Sequence, residues 1–203
     1  LVPANQYNVD YSLLGTARVE PLLRRIRNDM AGAGLMPESA KGECNFGQHE
    51  IAFRYADALA CADHHVIYKN GAKEIAAQEG MALTFMAKPN DREGNSCHIH
   101  FSLRDSSGAS AMLGDGPAHL SVTGQRVLAG LLATMREFSL LFAPNINSYK
   151  RYQPGSFAPT ALRPPAGPPA PESASSQNAT LPSVPRSDRW MWHEEPSRSS
   201  YFA

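Results

Sequence analysis

The sequence contains few cysteines, has no net charge and lacks long apolar runs. Its three cysteines, Cys44, Cys61 and Cys97, show no pairing pattern, which indicates reduced thiols and a cytoplasmic protein. Lys and Arg number 19, as do Asp and Glu, so charge points to no nucleic-acid or membrane-surface partner. No apolar run approaches the roughly 20 residues of a membrane-spanning helix.

The most informative stretch is residues 94–103, which alternates with the period of a β-strand. One predicted face is apolar, and the other carries small hydroxyls and imidazoles: Ser96, His98, His100 and Ser102. Two imidazoles on one side of a strand suit a metal or phosphate site in a cleft floored by a sheet. The alternative is a pair of surface histidines on an edge strand.

A second candidate site lies between Glu43 and Glu50. Their odd spacing would place them on opposite faces of one unbroken strand. A turn at Asn45–Gly47 removes that conflict and can bring both carboxylates to one side. Two carboxylates with a histidine from another strand suit Mg²⁺ or Mn²⁺. Two exposed acids in a hairpin are the alternative.

Helices and strands alternate along the rest of the chain. Apolar spacing predicts a helix from about Val19 to Met30, capped by Thr16, and a second from Tyr55 to Gln78 with a break near Gly71. A short strand over Ala82–Ala87 and a long helix from Ser121 to about Leu141 follow. In the next loop, Lys150 and Arg151 either bind a phosphate or carboxylate or are solvated. We expect an α+β fold, an antiparallel β-sheet backed by α-helices.

The composition changes abruptly at residue 161. Half of the chain's 16 prolines lie in residues 161–203, which show no helical or strand period. We expect one domain over residues 1–160 and a Pro/Ser-rich disordered tail over 161–203. The sudden change also raises the hypothesis of a shifted reading frame near residue 160.

Three of these stretches, in this order, resemble motifs of the glutamine synthetase catalytic domain. Residues 41–51, Lys-Gly-Glu through Gly-Gln-His-Glu-Ile, resemble its Glu…Gly-Gln-x-Glu metal motif. Residues 94–100 resemble its Gly-Ser-Gly-Met-His-x-His strand, and residues 147–155 its Asn-Ser-Tyr-Lys-Arg…Pro-Gly loop. The resemblance covers residues 5–160 and implies a partial catalytic domain with an incomplete sheet.

The resemblance assigns roles residue by residue. It implies that Glu43 and Glu50 hold one Mg²⁺ or Mn²⁺ and that His98 ligates a second beside the nucleotide phosphates. It places three residues against ATP: Glu38, His100 and Ser102. Gly94 would contact glutamate, and Arg151 would contact its side chain and the transferring phosphate. The implied reaction phosphorylates the γ-carboxylate of glutamate with ATP, after which ammonia or another amine displaces phosphate.

The sequence also departs from the family. Phe157 stands where the family has the glutamate of its ammonium site, which favours a small-amine acceptor over ammonium, and Glu93 stands where Asn is common. The family's first two metal carboxylates would precede Leu1, and its last strands and arginines would follow Thr160. We therefore expect a fragment, truncated at both ends, of a homo-oligomeric ligase, with impaired turnover. The alternatives are a non-catalytic remnant that associates with intact subunits and, without the family, a Glu/Glu/His metallohydrolase.

Overall fold

The computed structural model describes residues 2–153, Ala158 and the pair Trp192–His193. These residues belong to two compact units. The first contains residues 2–101 with Trp192–His193, and the second contains residues 102–153 with Ala158. Apart from Trp192–His193, the predicted disordered tail and the suspected frame change lie outside the described residues, as does Phe157.

The helices of the first unit are α1 (Leu13–Ala17), α2 (Glu20–Gly32) and α3 (Ala58–Gln78). Ser12 caps α1, because its hydroxyl accepts a hydrogen bond from the Gly15 N–H at 3.0 Å. The prediction that Thr16 caps the next helix is wrong, since Thr16 lies inside α1 and donates its hydroxyl to the Ser12 carbonyl at 2.8 Å. The helix α2 instead begins without a side-chain cap and carries Pro21 in its first turn.

The helix α3 is continuous through Gly71, so the predicted break there is wrong. A Cβ on Gly71 would lie 2.7 Å from the terminal methyl of Met30, so the missing side chain lets α2 approach α3 closely. Asp57 caps the start of α3 by accepting from the Ala60 N–H at 3.0 Å. Gly80, with a φ of 71°, follows its end as predicted.

The sheet of the first unit has four strands in the order β1 (Pro37–Gly42), β2 (His49–Phe53), β4 (Trp192–His193) and β3 (His98–Ile99). Strands β1 and β2 form the predicted antiparallel hairpin, in which Lys41 lies opposite Glu50. Gly47, with a φ of 70°, makes the turn that an L side chain would strain. The neighbouring pairs of the sheet are antiparallel throughout.

Two strand predictions are wrong. The strand predicted over residues 94–103 is reduced to His98–Ile99, and Ala82–Ala87 forms no strand. The hydrogen bonds of Asn95 explain why Ala82–Ala87 does not form a strand. The Asn95 N–H donates to the Ala87 carbonyl at 2.7 Å, and its side-chain amide donates to the Met86 carbonyl. These carbonyls are therefore satisfied by a loop residue rather than by a neighbouring strand.

The core of the first unit lies between α2, α3 and the hairpin. Every residue of β2 is buried. The buried cluster consists of Val19, Leu22, Leu23, Ile26, Met30, Leu35, Ile51, Phe53, Tyr68, Ala72, Ile75 and Ala76. The predicted apolar face of α2 supplies four of its own residues to this cluster. The unit is therefore the predicted α+β arrangement, an antiparallel sheet with helices packed on it.

The second unit contains a 3₁₀ turn at Pro117–His119 and the helices α4 (Val122–Thr134), α5 (Ser139–Phe142) and α6 (Ile146–Tyr149). Ser121 caps α4 as predicted, accepting from the Gly124 N–H at 3.1 Å. The helix ends earlier than predicted. Thr134 donates its hydroxyl to the Gly130 carbonyl at 2.9 Å, a bond that favours bending of a helix at this point.

The three described cysteines form no disulfide with one another; Cys44 is half-buried, Cys61 is buried and Cys97 is exposed. Burial raises the pKa of the Cys61 thiol to about 11, so this side chain packs as an apolar group in α3. Within the described part of the chain, no helix has the length and apolar character needed to cross a membrane.

Replacing Leu22 by Ala tests the core. Leu22 is fully buried between α2 and the hairpin, so Leu22→Ala should lower the free energy of unfolding by about 2–5 kcal/mol. Leu13 is 92% exposed, and Leu13→Ala should change it by less than about 0.5 kcal/mol. Urea titrations followed by far-UV circular dichroism measure both, and equal losses would contradict this core assignment.

Candidate active site

The loop between β1 and β2 is closed by its own backbone and by two amides. The Glu43 N–H donates to the Gln48 carbonyl at 2.9 Å, and the Gln48 N–H donates to the Asn45 carbonyl at 3.2 Å. The Asn45 N–H also donates to the side-chain oxygen of Gln48 at 2.8 Å. Both amide side chains are buried. The loop therefore holds Glu43 and Glu50 at fixed positions on either side of a rigid turn.

The same two amides connect the loop to the segment that precedes β3. The Asn45 amide donates to the Asn90 side chain at 3.0 Å and to the Glu93 carbonyl at 2.6 Å. The Gln48 amide donates to the Gly94 carbonyl at 3.4 Å. Gly94, the predicted glutamate contact, is thereby placed next to the hairpin. Sequence reasoning treated Asn45 only as a turn residue, and its amide gave no signal of this second role.

Lys41 brings the two predicted metal carboxylates together. Its ammonium contacts Glu43 and lies 3.1 Å from Glu50 Oε2 and 3.2 Å from Asp10 Oδ1. The side chains of Glu43 and Glu50 are only 8% and 7% exposed. Two nearly buried carboxylates that share one cation form a strongly negative centre of oxygen donors, the kind that Mg²⁺ and Mn²⁺ prefer.

The charge of Lys41 is held in place by these neighbours. Burial acts to lower the pKa of the ammonium, but the hydrogen bond and charge of Glu43, together with Glu50, outweigh burial and raise that pKa. The ring of Tyr11 also lies against the cation, with its centroid 4.3 Å from Nζ. Tyr11 has a left-handed backbone, with a φ of 54°. Lys41 is therefore a firmly charged member of the site.

Asp10 is a member of the site that sequence reasoning missed. Its segment reaches β1 because the Val9 N–H donates to the Glu43 carbonyl at 3.4 Å and because Gly42 has no side chain to strike the Val9 carbonyl. Cys44 donates its thiol to Asp10 Oδ2 at 3.3 Å. The local sequence around Asp10 does not predict this long-range contact. The one sequence feature that indicates it is Gly42, which leaves room for another segment to pack against the end of β1.

The predicted histidine ligand does not belong to the metal-ligand group that the described residues form. In the described residues, one group of three possible metal-ligand side chains has its donor atoms within 4.8 Å of one another, and it is Asp10, Glu43 and Cys44. His98 does not join Glu43 and Glu50 in such a group; it is exposed, and its Nε2 lies 3.1 Å from the Ser96 hydroxyl.

Glu38 and His100 occupy different kinds of position. Glu38 is exposed, at the irregularity of β1 between Pro37 and Ser39, which is the end of the strand away from Glu43. His100 is half-buried and follows β3 directly. Both side chains lie at the ends of sheet strands.

The remaining predicted residues belong to the second unit. Ser102 is half-buried at its start. Arg151 is 6% exposed and follows α6, where its N–H donates to the Ser148 carbonyl at 3.2 Å. The solvated interpretation of this loop is therefore wrong for Arg151, whereas the neighbouring Lys150 is exposed.

His49, which precedes Glu50 on β2, is buried and packs against the N-terminal segment. Its Nε2 lies 3.2 Å from the Asn5 side-chain oxygen, and the Asn5 amide donates to the Gly15 carbonyl at 3.1 Å. Burial lowers the pKa of His49 to about 4, so the ring is neutral at physiological pH. The arrangement connects β2 to the N-terminal segment that carries Asp10.

Comparisons with a family model and with individual proteins agree on one family for this chain. Residues 3–163 match the family model described as the glutamine synthetase catalytic domain. The chain is 71% identical over 162 residues to a gamma-glutamylethanolamide synthetase of Streptomyces coelicolor, covering 80% of this chain and 35% of the relative. It is 43% identical over 150 residues to a glutamate–isopropylamine ligase of a Pseudomonas species, covering 73% and 33%.

Solved structures agree with the sequence matches. The structure of GmaS without ligand superposes with a TM-score of 0.69 at 34% identity, covering 73% of this chain and 36% of that one. A GmaS complex with ADP also gives a TM-score of 0.69, at 32% identity. The chain spans about a third of the length of the curated relatives it matches.

The neutral His49 makes stability depend on pH. The unfolded chain binds a proton at His49 near pH 6.5 and the folded chain only near pH 4. Stability from this group is therefore fully present above pH 6.5 and is lost as the pH falls from 6.5 to 4, by about 3 kcal/mol. His49→Gln should remove that part of the loss in urea titrations at a series of pH values. A variant that loses as much as wild type over this range would contradict the assignment.

Proposed function

The chain belongs to the glutamine synthetase family, and we propose that it supplies part of the active site of an ATP-dependent ligase that joins glutamate to an amine. The observation that carries the proposal is the convergence of Glu43 and Glu50 on one ammonium at the hairpin that resembles the family's metal motif. Two relatives that align with most of this chain are named as a gamma-glutamylethanolamide synthetase and a glutamate–isopropylamine ligase, which supports the proposal.

The reaction transfers the γ-phosphoryl group of ATP to the γ-carboxylate of glutamate, giving ADP and γ-glutamyl phosphate. The amine nitrogen then attacks the activated carbonyl, phosphate leaves with its bonding electrons, and the amine loses one proton. Phosphoryl transfer to a carboxylate brings two anions together, so cations must neutralise both. A divalent metal supplies that neutralisation when it is bound.

Glu43 and Glu50 fit the role of metal ligands. Both are nearly buried, both offer oxygen donors, and both already face a cation. We assign them one Mg²⁺ or Mn²⁺, and we assign the second ion to His98. In the described residues, His98 belongs to no group of three possible metal-ligand side chains, so it contributes one imidazole to that second ion.

The substrate contacts rest on the resemblance together with position. We assign three residues to ATP: Glu38, His100 and Ser102. We assign Gly94 to glutamate, supported by its fixed place beside the hairpin through Gln48. Arg151 is assigned to the glutamate side chain and the transferring phosphate, for which a positioned guanidinium suits planar oxyanions.

We propose a small amine rather than ammonium as the acceptor. Phe157 replaces the family's glutamate at the ammonium site, and an apolar ring there favours the carbon chain of an amine over a bare cation. Relatives named as a gamma-glutamylethanolamide synthetase and a glutamate–isopropylamine ligase are consistent with this choice. We place the full-length ligase in the cytoplasm as a homo-oligomer.

A hybrid enzyme tests this function. Residues 3–163 of this chain, the stretch that matches the family model, replace the corresponding stretch of the Streptomyces relative. The chain and that relative are 71% identical over 162 residues. Product is measured by mass spectrometry with ATP, glutamate, Mg²⁺ and either ethanolamine, isopropylamine or ammonium. The hybrid should form a γ-glutamyl amide and should use at least one of the two amines better than ammonium.

Matched acid-to-amide variants control this test. Glu43→Gln in the hybrid should lower turnover by about a hundredfold or more, because a metal ligand is lost. Glu79→Gln removes a surface partner of Arg25, 2.7 Å away, and should leave turnover nearly unchanged. Preference for ammonium would refute the amine assignment, and full turnover of Glu43→Gln would refute the metal assignment.

A further inference from the structure

The ammonium of Lys41 occupies the oxygen atoms that the proposed metal needs. It contacts Glu43 Oε1 and lies 3.1 Å from Glu50 Oε2. A divalent ion binds carboxylate oxygens by their lone pairs at short range and repels a neighbouring ammonium. Lys41 and a metal held by both carboxylates therefore compete for one position.

Lys41 has a second set of partners on its other side. Asp10 Oδ1 lies 3.2 Å from its Nζ, and the ring centroid of Tyr11 lies 4.3 Å away. Both residues belong to the segment anchored to β1 by the Val9 N–H and fitted over Gly42. An ammonium that leaves the two glutamates can thus keep a carboxylate and an aromatic face.

We propose that Lys41 is a built-in counter-ion that yields Glu43 and Glu50 to an arriving divalent metal by moving onto Asp10 and the Tyr11 ring. The proposal rests on the metal site proposed above and adds how its affinity is set. Lys41 lowers metal affinity because it must be displaced, and Asp10 raises it because it receives the displaced charge. The two residues act on the metal with opposite signs.

Two single variants test the signs. Mn²⁺ binding to the full 203-residue chain is measured by electron paramagnetic resonance of the free ion. Lys41→Met keeps the length of the side chain and removes the charge, and it should bind Mn²⁺ about tenfold more tightly than wild type. Asp10→Asn keeps the shape and should bind Mn²⁺ about tenfold more weakly. Lys69→Met, a control that removes another lysine lying over an aromatic ring, should bind like wild type.

The double variant separates this account from a direct role of Asp10 as a ligand. If Asp10 acts through Lys41, Asp10→Asn should have no further effect in the Lys41→Met background. If Asp10 ligates the ion, the loss should persist there. The shift in melting temperature caused by Mn²⁺ gives an independent reading for each variant and shows whether each one is folded.

The outcomes distinguish this inference from the proposed metal site. Weaker Mn²⁺ binding by Lys41→Met, or an Asp10→Asn loss that persists in the double variant, overturns the counter-ion role. If Mn²⁺ binding still depends on Glu43 in that case, the proposed metal site is retained and only the role of Lys41 is rejected. Absence of Mn²⁺ binding in both wild type and Lys41→Met, or binding that Glu43→Gln does not reduce, overturns the metal site and this inference with it.

Discussion

Three carboxylates, those of Asp10, Glu43 and Glu50, surround the ammonium of Lys41, and the rest of the first unit serves to hold them there. Without the cation, two nearly buried carboxylates this close would repel each other strongly. The ammonium of Lys41 offsets that repulsion, and both carboxylates present oxygen donors to it. The cluster thus balances a nearly buried negative centre with one ammonium, the cation that we propose a divalent metal displaces.

The frame around the cluster is made of buried amides rather than of charges. Asn45 and Gln48 join the hairpin loop to the segment that ends at Gly94, and Asn5 joins His49 to the N-terminal segment. Each amide satisfies backbone groups that a loop would otherwise leave unpaired in the interior. The apolar contacts of α2 and α3 then fix the hairpin from behind. Packing therefore determines where the strands lie, and the amides determine where the site residues point.

The sequence predicted the elements whose pattern is local. The apolar period of α2, the turn at Gly47 and the cap at Ser121 were all confirmed, because each depends on neighbours in the chain. The failures involve long-range contacts: Asn95 binds the backbone of Ala82–Ala87 in place of a strand, and Asp10 meets Lys41 from a distant loop. The metal site was predicted from two glutamates and a histidine of another strand. The structure instead brings a lysine and an aspartate to the glutamates, contacts that only folding produces.

The most direct test of the account is the position of a bound metal in crystals of the chain grown with Mn²⁺. We expect an anomalous difference peak within bonding distance of both Glu43 and Glu50. We also expect the ammonium of Lys41 to lie with Asp10 and the Tyr11 ring, away from the two glutamates. A peak bonded to Asp10 and Cys44 instead, or Lys41 still in contact with both glutamates beside the ion, would contradict it.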